Sequence, residues 1–239
     1  SLHDALPILL LFDVFHSTGY QSAGQEDRSY RGKLSFLPVH RKGITVVNTL
    51  PIEEYLYSVV PSEIPATWPM QALEAQAIAA RTYTLANMGR FASRGYDVSG
   101  SIASAFYRGL TGESPATTMA VENTRGLVLK NENKYINAFY SANSAGRTES
   151  AKSVWNMNVP VIGVTDPHLS FENDPPAPDE LARWILSEPL TYSSIEPYYY
   201  RSSYRWRLIV PSEEIGQRIG KDIGRIKSIT TRGRGKSGR

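Results

Sequence analysis

The sequence predicts an α+β fold, with a mixed or antiparallel sheet and one long alanine-rich helix. Segments with the β-branched content of strands lie before residue 50 and after residue 126. Between them, residues 69–88 contain no glycine and are rich in alanine, the residue with the highest helix propensity. Strands and helices in separate runs are typical of the α+β class.

Length and composition predict one domain. The chain has 239 residues, of which 41% are hydrophobic and 10% aromatic, enough for one substantial core. We expect this domain over residues 30–239, after a loosely ordered and partly non-native lead-in over residues 1–29. The longest apolar run, residues 5–12, is far shorter than the roughly 20 residues that cross a bilayer. It also lacks the basic start of a signal peptide.

Cysteine content and charge limit the classes of site. The chain has no cysteine, which excludes disulfides and thiolate metal sites but leaves the compartment open. The net charge is +3, and residues 217–239 hold eight Lys or Arg beside the single Asp222. Because no aromatic residues interleave with these charges, a solvated terminus is favoured over a nucleic-acid-binding patch.

Two strands and a short helix are predicted before residue 61. Residues 34–37 and 43–48 have strand character and flank a basic turn, so we expect a hairpin. Pro51 then opens a short helix over residues 52–60, whose apolar side chains fall on one face.

A proline-rich turn is predicted to hold Glu63 beside the long helix. Pro61, Pro65 and Pro69 each fix φ, which leaves the peptide around Glu63 few conformations. Pro69 suits the first turn of the helix over residues 69–88. Glu63 is therefore expected near the positive end of that helix, either as a functional acid or as a plain capping carboxylate.

The rest of the chain is predicted to contain a second hairpin, a surface loop and several short elements. The helices are expected at residues 119–124, 179–185 and 212–223, and the strands at 127–130, 134–140, 204–210 and 226–231. A proline-rich loop over residues 172–178 is expected to run over the surface and to separate two halves of the fold.

A series of short motifs runs through the chain in a fixed order. The motifs lie at residues 48–56, 61–69, 72–83, 104–109, 120–129, 138–149 and 154–155. This series resembles the SpoIID/LytB family, the sporulation protein D and amidase-enhancer proteins of bacterial cell walls. The resemblance implies that the domain continues past Arg239, so that its C-terminal part is missing from this chain.

The resemblance implies a peptidoglycan lytic transglycosylase that cleaves glycan strands between N-acetylmuramic acid and N-acetylglucosamine. In that reaction the 6-hydroxyl of the muramic acid attacks the anomeric carbon, so one carboxyl group can serve as acid and then as base. Family members are regarded as using a glutamate in this region, and Glu63 is the position best suited to the role. No cofactor is expected.

Five further residues are expected to position the sugars. They are Gln76, Arg81, Tyr83, Ser141 and Thr148, which offer hydrogen bonds, a cation and a stacking ring. For Arg81 an internal salt bridge with Glu54 or Glu74 is an equally good interpretation. Ser141 and Thr148 also suit an ordinary polar hairpin end.

Several positions depart from the family pattern. Gln71 stands where the family usually has glutamate, Glu74 where it has lysine, and Tyr140 where it has the histidine of a zinc site. We therefore expect no metal, and Glu74 stays open as an alternative acid to Glu63. The departures modestly favour a second interpretation, a non-catalytic peptidoglycan-binding enhancer of an N-acetylmuramoyl-L-alanine amidase.

The expected partners are peptidoglycan glycan strands and a cell-wall amidase, and no nucleic acid. The resemblance places the protein outside the cytoplasm, in the bacterial cell envelope. Whether it serves sporulation or vegetative growth is left open by the sequence.

Overall fold

The computed structural model describes residues 8–17, 23–39, 43–101, 103–171, 177–219 and 228. Helices and small antiparallel sheets occur together, which confirms the α+β class. The chain divides into two compact units, Ser1–Tyr140 and Ser141–Arg239. A single family domain over residues 30–239 stays a prediction. None of the helices in the described ranges is long and apolar enough to span a membrane.

The first helix, α1, covers Ile52–Glu63 and continues past Pro61, where the sequence predicted its end. Its fully buried apolar residues are Leu56, Val59 and Val60. This burial holds the last turn in place, and there the Ser62 hydroxyl donates to the Ser58 carbonyl at 2.9 Å. Glu63 is therefore the last residue of α1. It lies at the negative C-terminal end of α1, which the sequence did not predict, and its nearness to the positive start of the next helix stays a prediction.

The predicted long helix is α2, Met70–Ala86, which begins directly after Pro69. One stripe of α2 is buried, and its members are Leu73, Ala77, Ala80 and Thr84. A third helix, α3, covers Pro115–Asn123 and contributes Ala120 and Val121 to the same core. The small alanine side chains let α2 lie close to its neighbours.

A hairpin of two strands precedes α1, as predicted. In chain order these are the third and fourth strands, β3, Lys33–Val39, and β4, Gly43–Thr49, which pair antiparallel with Phe36 opposite Val46. The turn expected at residues 40–42 lies outside the described residues.

A further hairpin occupies much of the predicted lead-in. Strands β1, Leu9–Ser17, and β2, Ala23–Tyr30, pair antiparallel, so the expectation of loose order over residues 1–29 is wrong for these residues. The sequence did not predict this hairpin because some of its hydrogen bonds are made with residues far away in the chain. The Ser29 N–H donates to the Thr111 hydroxyl at 3.4 Å, and an Arg28 guanidinium nitrogen donates to the Tyr107 carbonyl at 3.4 Å.

The second predicted hairpin is present with shorter strands. Strands β5, Lys130–Asn131, and β6, Lys134–Tyr135, pair antiparallel around a two-residue turn. Both turn residues have positive φ, +47° at Glu132 and +65° at Asn133. Such φ values are typical of the tight turns that join antiparallel strands.

The second unit contains short helices. They are α4, Ala151–Trp155, α5, Pro178–Leu186, α6, Arg201–Tyr204, and α7, Ser212–Ile219. Helices α5 and α7 were predicted, although the expected extension of α7 to residue 223 lies outside the described residues. The strand expected over residues 226–231 is likewise not described, apart from residue 228.

The strand predicted over residues 204–210 is wrong. Tyr204 ends α6 with its side chain buried, and its hydroxyl lies between Thr191 and the Pro189 carbonyl. Residues 206–209 are exposed and pair with no described strand. An isolated apolar segment without a partner strand does not form a sheet.

Candidate functional site

A cavity of about 270 Å³ in the first unit has Glu63 in its wall. We call it the Glu63 cavity. Its lining residues come from the end of α1, from α2 and from two loop segments, and they are Glu63, Tyr83, Ser104, Ala105, Phe106, Phe139 and Tyr140. Among these described residues Glu63 is the single carboxylate, and four of the other six are aromatic.

The environment of Glu63 favours the protonated carboxyl group. Burial by the surrounding groups raises its pKa above the ordinary value, and a backbone hydrogen bond from Phe106 opposes part of this rise. The C-terminal end of α1 acts in the same direction as burial, because the last turn of a helix carries partial negative charge. The residue as a whole is nevertheless exposed, so a substrate can reach it.

Aromatic side chains form one wall of this cavity. The Tyr83 ring centroid lies 6.1 Å from that of Phe139 and 6.3 Å from that of Tyr140. Burial, followed by the charge of Glu63, raises the pKa of the Tyr140 hydroxyl, so Tyr140 stays neutral. Sugar rings stack on such faces through their C–H groups, which makes this wall suitable for a carbohydrate.

Arg81 does not line the Glu63 cavity. Its side chain is 1% exposed and forms a salt bridge with Glu53, with Nη2 2.7 Å from Oε2. The same guanidinium donates to the Val121 and Leu127 carbonyls, each at 3.1 Å. The predicted role in sugar binding is therefore withdrawn. The alternative of an internal salt bridge was right in kind, but the partner is Glu53 and not Glu54 or Glu74.

The two candidate acids occupy different environments. Glu63 lines the cavity, whereas a Glu74 carboxylate oxygen accepts a hydrogen bond from the Asn123 amide at 2.8 Å. Gln76 lies two turns before Tyr83 on α2, and its buried amide nitrogen has no hydrogen-bond partner among the described residues. The geometry thus favours Glu63 over Glu74, and Gln76 keeps a free donor.

Ser141 and Thr148 belong to the second unit. Ser141 is exposed. The Thr148 hydroxyl accepts a hydrogen bond from the Val164 N–H at 2.9 Å, so it already supports the local chain pairing. Their predicted contact with substrate stays a prediction.

Sequence reasoning assigned no role to five lining residues, Ser104, Ala105, Phe106, Phe139 and Tyr140. The sequence did contain a signal for them, because these residues fall in two of the motifs that carry the family resemblance. What the sequence did not reveal is that both motifs converge on Glu63. Nowhere in the described ranges do three His, Asp or Glu side chains gather closely enough to hold a metal ion.

Comparison with known proteins shows a similarity that covers part of this site. A family model described as Stage II sporulation protein, SpoIID, matches residues 40–130. This segment includes α1, α2, α3 and Glu63. Residues 40–130 are therefore similar to the SpoIID family. Of the lining residues of the Glu63 cavity, Phe139 and Tyr140 lie beyond the SpoIID segment.

Three relatives show the breadth of the SpoIID similarity. An uncharacterised protein of Brachyspira hyodysenteriae is 36% identical over 56% of this chain and 36% of its own length. The amidase enhancer of Bacillus subtilis is 39% identical over 45% of this chain and 14% of its own length. The stage II sporulation protein D of Bacillus subtilis is 34% identical over 53% of this chain and 41% of its own length. The chain thus matches less than half the length of each.

Proposed function

We propose that this chain is a peptidoglycan lytic transglycosylase with Glu63 as its single acid and base. The observation that carries the proposal is the position of Glu63 in an aromatic-walled cavity, where burial raises its pKa. A carboxyl group that stays protonated closer to neutral pH can deliver a proton to a leaving glycosidic oxygen. Similarity to the stage II sporulation protein D and to the amidase enhancer directs the proposal to the cell wall.

The reaction needs one carboxyl group because the substrate supplies its own nucleophile. Protonated Glu63 donates its proton to the oxygen between N-acetylmuramic acid and N-acetylglucosamine, and the bond from that oxygen to the muramic acid C1 breaks. The resulting Glu63 carboxylate takes the proton of the muramic acid 6-hydroxyl as that oxygen bonds to C1. The products are a 1,6-anhydro end and a free N-acetylglucosamine end, and Glu63 is again protonated.

The aromatic wall would hold the sugars. In this proposal Tyr83 and Tyr140 stack on the rings beside the scissile bond. Gln76, which is not among the lining residues of the Glu63 cavity, remains a proposed sugar contact. Ser141 and Thr148 of the second unit remain proposed sugar contacts. The substrate we favour is glycan already stripped of its stem peptides by an amidase, encountered in the cell envelope during sporulation or wall remodelling.

A muropeptide digest tests the proposal. The purified chain is incubated with denuded glycan strands. The products are then separated and identified by mass spectrometry. We expect 1,6-anhydro ends with the unchanged chain, a loss of at least a hundredfold with Glu63→Gln, and little change with Glu74→Gln. Anhydro ends that persist in Glu63→Gln, or disappear in Glu74→Gln, would contradict the assignment.

The second candidate function is a non-catalytic enhancer of a cell-wall amidase. It is favoured by the 39% identity to the amidase enhancer of Bacillus subtilis. Under this alternative the chain produces no anhydro ends but raises the rate at which an N-acetylmuramoyl-L-alanine amidase releases stem peptides. Glu63→Gln would then leave the stimulation unchanged, because no proton transfer is involved.

A further inference from the structure

Two arginines and two aromatic residues form a cluster in the loop that follows α2 in the first unit. The guanidinium carbons of Arg90 and Arg94 each lie 5.5 Å from the centre of the Phe91 ring. The Tyr96 ring stacks on Phe91, with ring centroids 5.4 Å apart and an angle of 26° between the two planes. We call these four residues the arginine patch. One aromatic ring thus holds two cations close to the same point.

The arginine patch carries a positive charge that no described carboxylate neutralises. Both arginines are exposed, and neither forms a salt bridge in the described part of the chain. Residues 87–101 contain these two arginines and a single acid, Asp97. Two like charges beside one ring repel each other, and an anion bound between them offsets that repulsion. The patch therefore favours an anionic ligand, and a carboxylate matches the geometry of a guanidinium group.

The arginine patch is tied to the wall of the Glu63 cavity. Arg90 Nη1 donates to the carbonyl of Ala103 at 3.2 Å, and Ala103 is exposed and directly precedes two lining residues of the cavity. At the start of the same loop, the Asn87 amide donates to the carbonyl of Tyr83, a third lining residue, at 2.8 Å. The guanidinium group of Arg90 is therefore about one residue away from the cavity lining.

A glycan strand needs more surface than the Glu63 cavity offers. The cavity volume of about 270 Å³ is below the range of about 300–1,000 Å³ that is usual for small-molecule sites. A polymer that places one bond at Glu63 therefore continues over the neighbouring surface, to which the arginine patch belongs. When an amidase has removed the stem peptides from such a strand, each muramic acid carries a free lactyl carboxylate.

We propose that the arginine patch binds a lactyl carboxylate of the strand held at the Glu63 cavity, and thereby selects glycan without stem peptides. An attached stem peptide converts the lactyl group to a neutral amide, which cannot form an ion pair with a guanidinium group. Arg90 and Arg94 are then specificity-determining residues, and the Phe91 ring positions both of them. The inference rests on the glycan substrate of the proposed function but not on cleavage, so a non-cleaving enhancer would use the same contacts.

Calorimetric titration with two matched oligosaccharides tests the role of the charge. One is a glycan octasaccharide with free lactyl carboxylates, and the other is the same octasaccharide with every lactyl group converted to its neutral methylamide. The titrated chain carries Glu63→Gln, so that the strands remain intact. We expect the carboxylate form to bind about tenfold more tightly at low salt. Because the arginines are exposed, this preference should shrink as sodium chloride is added.

The possible results separate the arginine patch from the proposed cleavage. Equal affinity for the two oligosaccharides would overturn the patch alone, because the chain would then bind glycan without recognising its charge. Binding of neither oligosaccharide would contradict the glycan substrate itself. A preference for the carboxylate form in a chain that releases no anhydro ends would support the patch and contradict the cleavage.

Variants of the two arginines test the assignment. Arg90→Gln and Arg94→Gln are each expected to weaken binding of the carboxylate form about threefold, the effect of one exposed ion pair, and to leave the methylamide unaffected. The double variant should bind both oligosaccharides equally. Lys33→Gln is the matched control, since it removes an exposed cation of the first unit that lies outside the patch, and the tenfold preference should remain. A folded double variant that keeps the preference would overturn the assignment to these arginines.

Discussion

The Arg81 guanidinium of α2 and the Glu53 carboxylate of α1 form a buried ion pair in the core of the first unit, 2.7 Å apart at their closest atoms. Glu53 also accepts a hydrogen bond from the Gly126 N–H at 3.1 Å, just after α3, and Arg81 donates to the Val121 carbonyl within α3. Both charges are thus compensated, and the pair joins three helices around one point.

Removing one partner of this pair is expected to cost much of the stability of the first unit. Arg81→Met leaves the Glu53 carboxylate buried without its cation, and breaking a buried pair in this way costs about 3–5 kcal/mol. The free energy of unfolding is measured by urea denaturation followed by circular dichroism. Arg218→Gln, which breaks an exposed pair with Glu214 in α7, should change it by less than about 1 kcal/mol.

The free energy of unfolding, together with the glycan affinity of the same variant, decides between the two roles considered for Arg81. A folded Arg81→Met variant with ordinary stability and a loss of glycan affinity would restore Arg81 to the substrate site. A loss of stability with an unchanged glycan affinity would agree with its place in the core.

The contact between α2 and α3 is expected to tolerate little extra volume. Ala77 is fully buried, whereas Ala75 on the same helix is exposed. Ala77→Leu forces a larger side chain into a packed core and should lower the free energy of unfolding by about 1–3 kcal/mol. Ala75→Leu is the matched control and should change it by no more than about 0.5 kcal/mol. Equal effects of the two substitutions in urea denaturation would show that the helix has moved.

The elements that the sequence predicted well are those that local pattern determines. The alanine stripe of α2 and the β-branched strands β3 and β4 carry their periodicity in adjacent residues, so no distant contact is needed to find them. The family motifs likewise directed attention to Glu63 before its cavity was known.

The elements that the sequence missed depend on contacts between distant residues. Strand β2 is polar, and it is held partly by hydrogen bonds from Arg28 and Ser29 to residues about 80 positions away. Pro61 suggested the end of a helix by its local chemistry, but the buried turn before it carries α1 on to Glu63. The partner of Arg81 was misjudged by one residue, because only the packed helices show which glutamate faces inward.

The docking of β2 is expected to require glycine at position 109. Gly109 has φ +67°, and a Cβ atom added there would lie 2.3 Å from the Ser29 carbonyl oxygen of β2. Gly109→Ala therefore pushes this strand away, and we expect a loss of at least about 2 kcal/mol in the free energy of unfolding. Faster amide hydrogen exchange in β2 should accompany it.

A second glycine separates backbone strain from steric clash. Gly126 has φ +73°, but a Cβ atom there would meet nothing within 4 Å. Gly126→Ala should cost only about 1–2 kcal/mol, the usual cost of a left-handed conformation in a residue with a side chain. If both variants lose the same stability and β2 stays protected, the contact between Gly109 and Ser29 does not hold the hairpin.

The raised pKa of Glu63 predicts how cleavage depends on pH. A general acid must be protonated, so activity should fall as pH rises through the pKa of Glu63. Tyr83→Ala opens the aromatic wall to water, which lowers the pKa of Glu63 toward its ordinary value. The alkaline limb of the activity profile then moves to lower pH. Tyr135→Ala removes an exposed tyrosine that does not line the cavity and should leave the limb in place. The readout is anhydro-end formation against pH, with carbon-13 detection of the Glu63 carboxyl group.

The same shift predicts that the stability of the fold, like the activity, falls as pH rises. Because folding raises the pKa of Glu63, the folded state holds its proton to higher pH than the unfolded chain, and stability falls as pH rises from 4.5 through the raised value. Glu63→Gln cannot ionise, so it should match the unchanged chain in stability below that window and exceed it above. Urea denaturation at several pH values measures the difference. A variant that is less stable at neutral pH would mean that the ionised carboxylate is stabilised in the fold, and Glu63 would then be a structural group and not a poised acid.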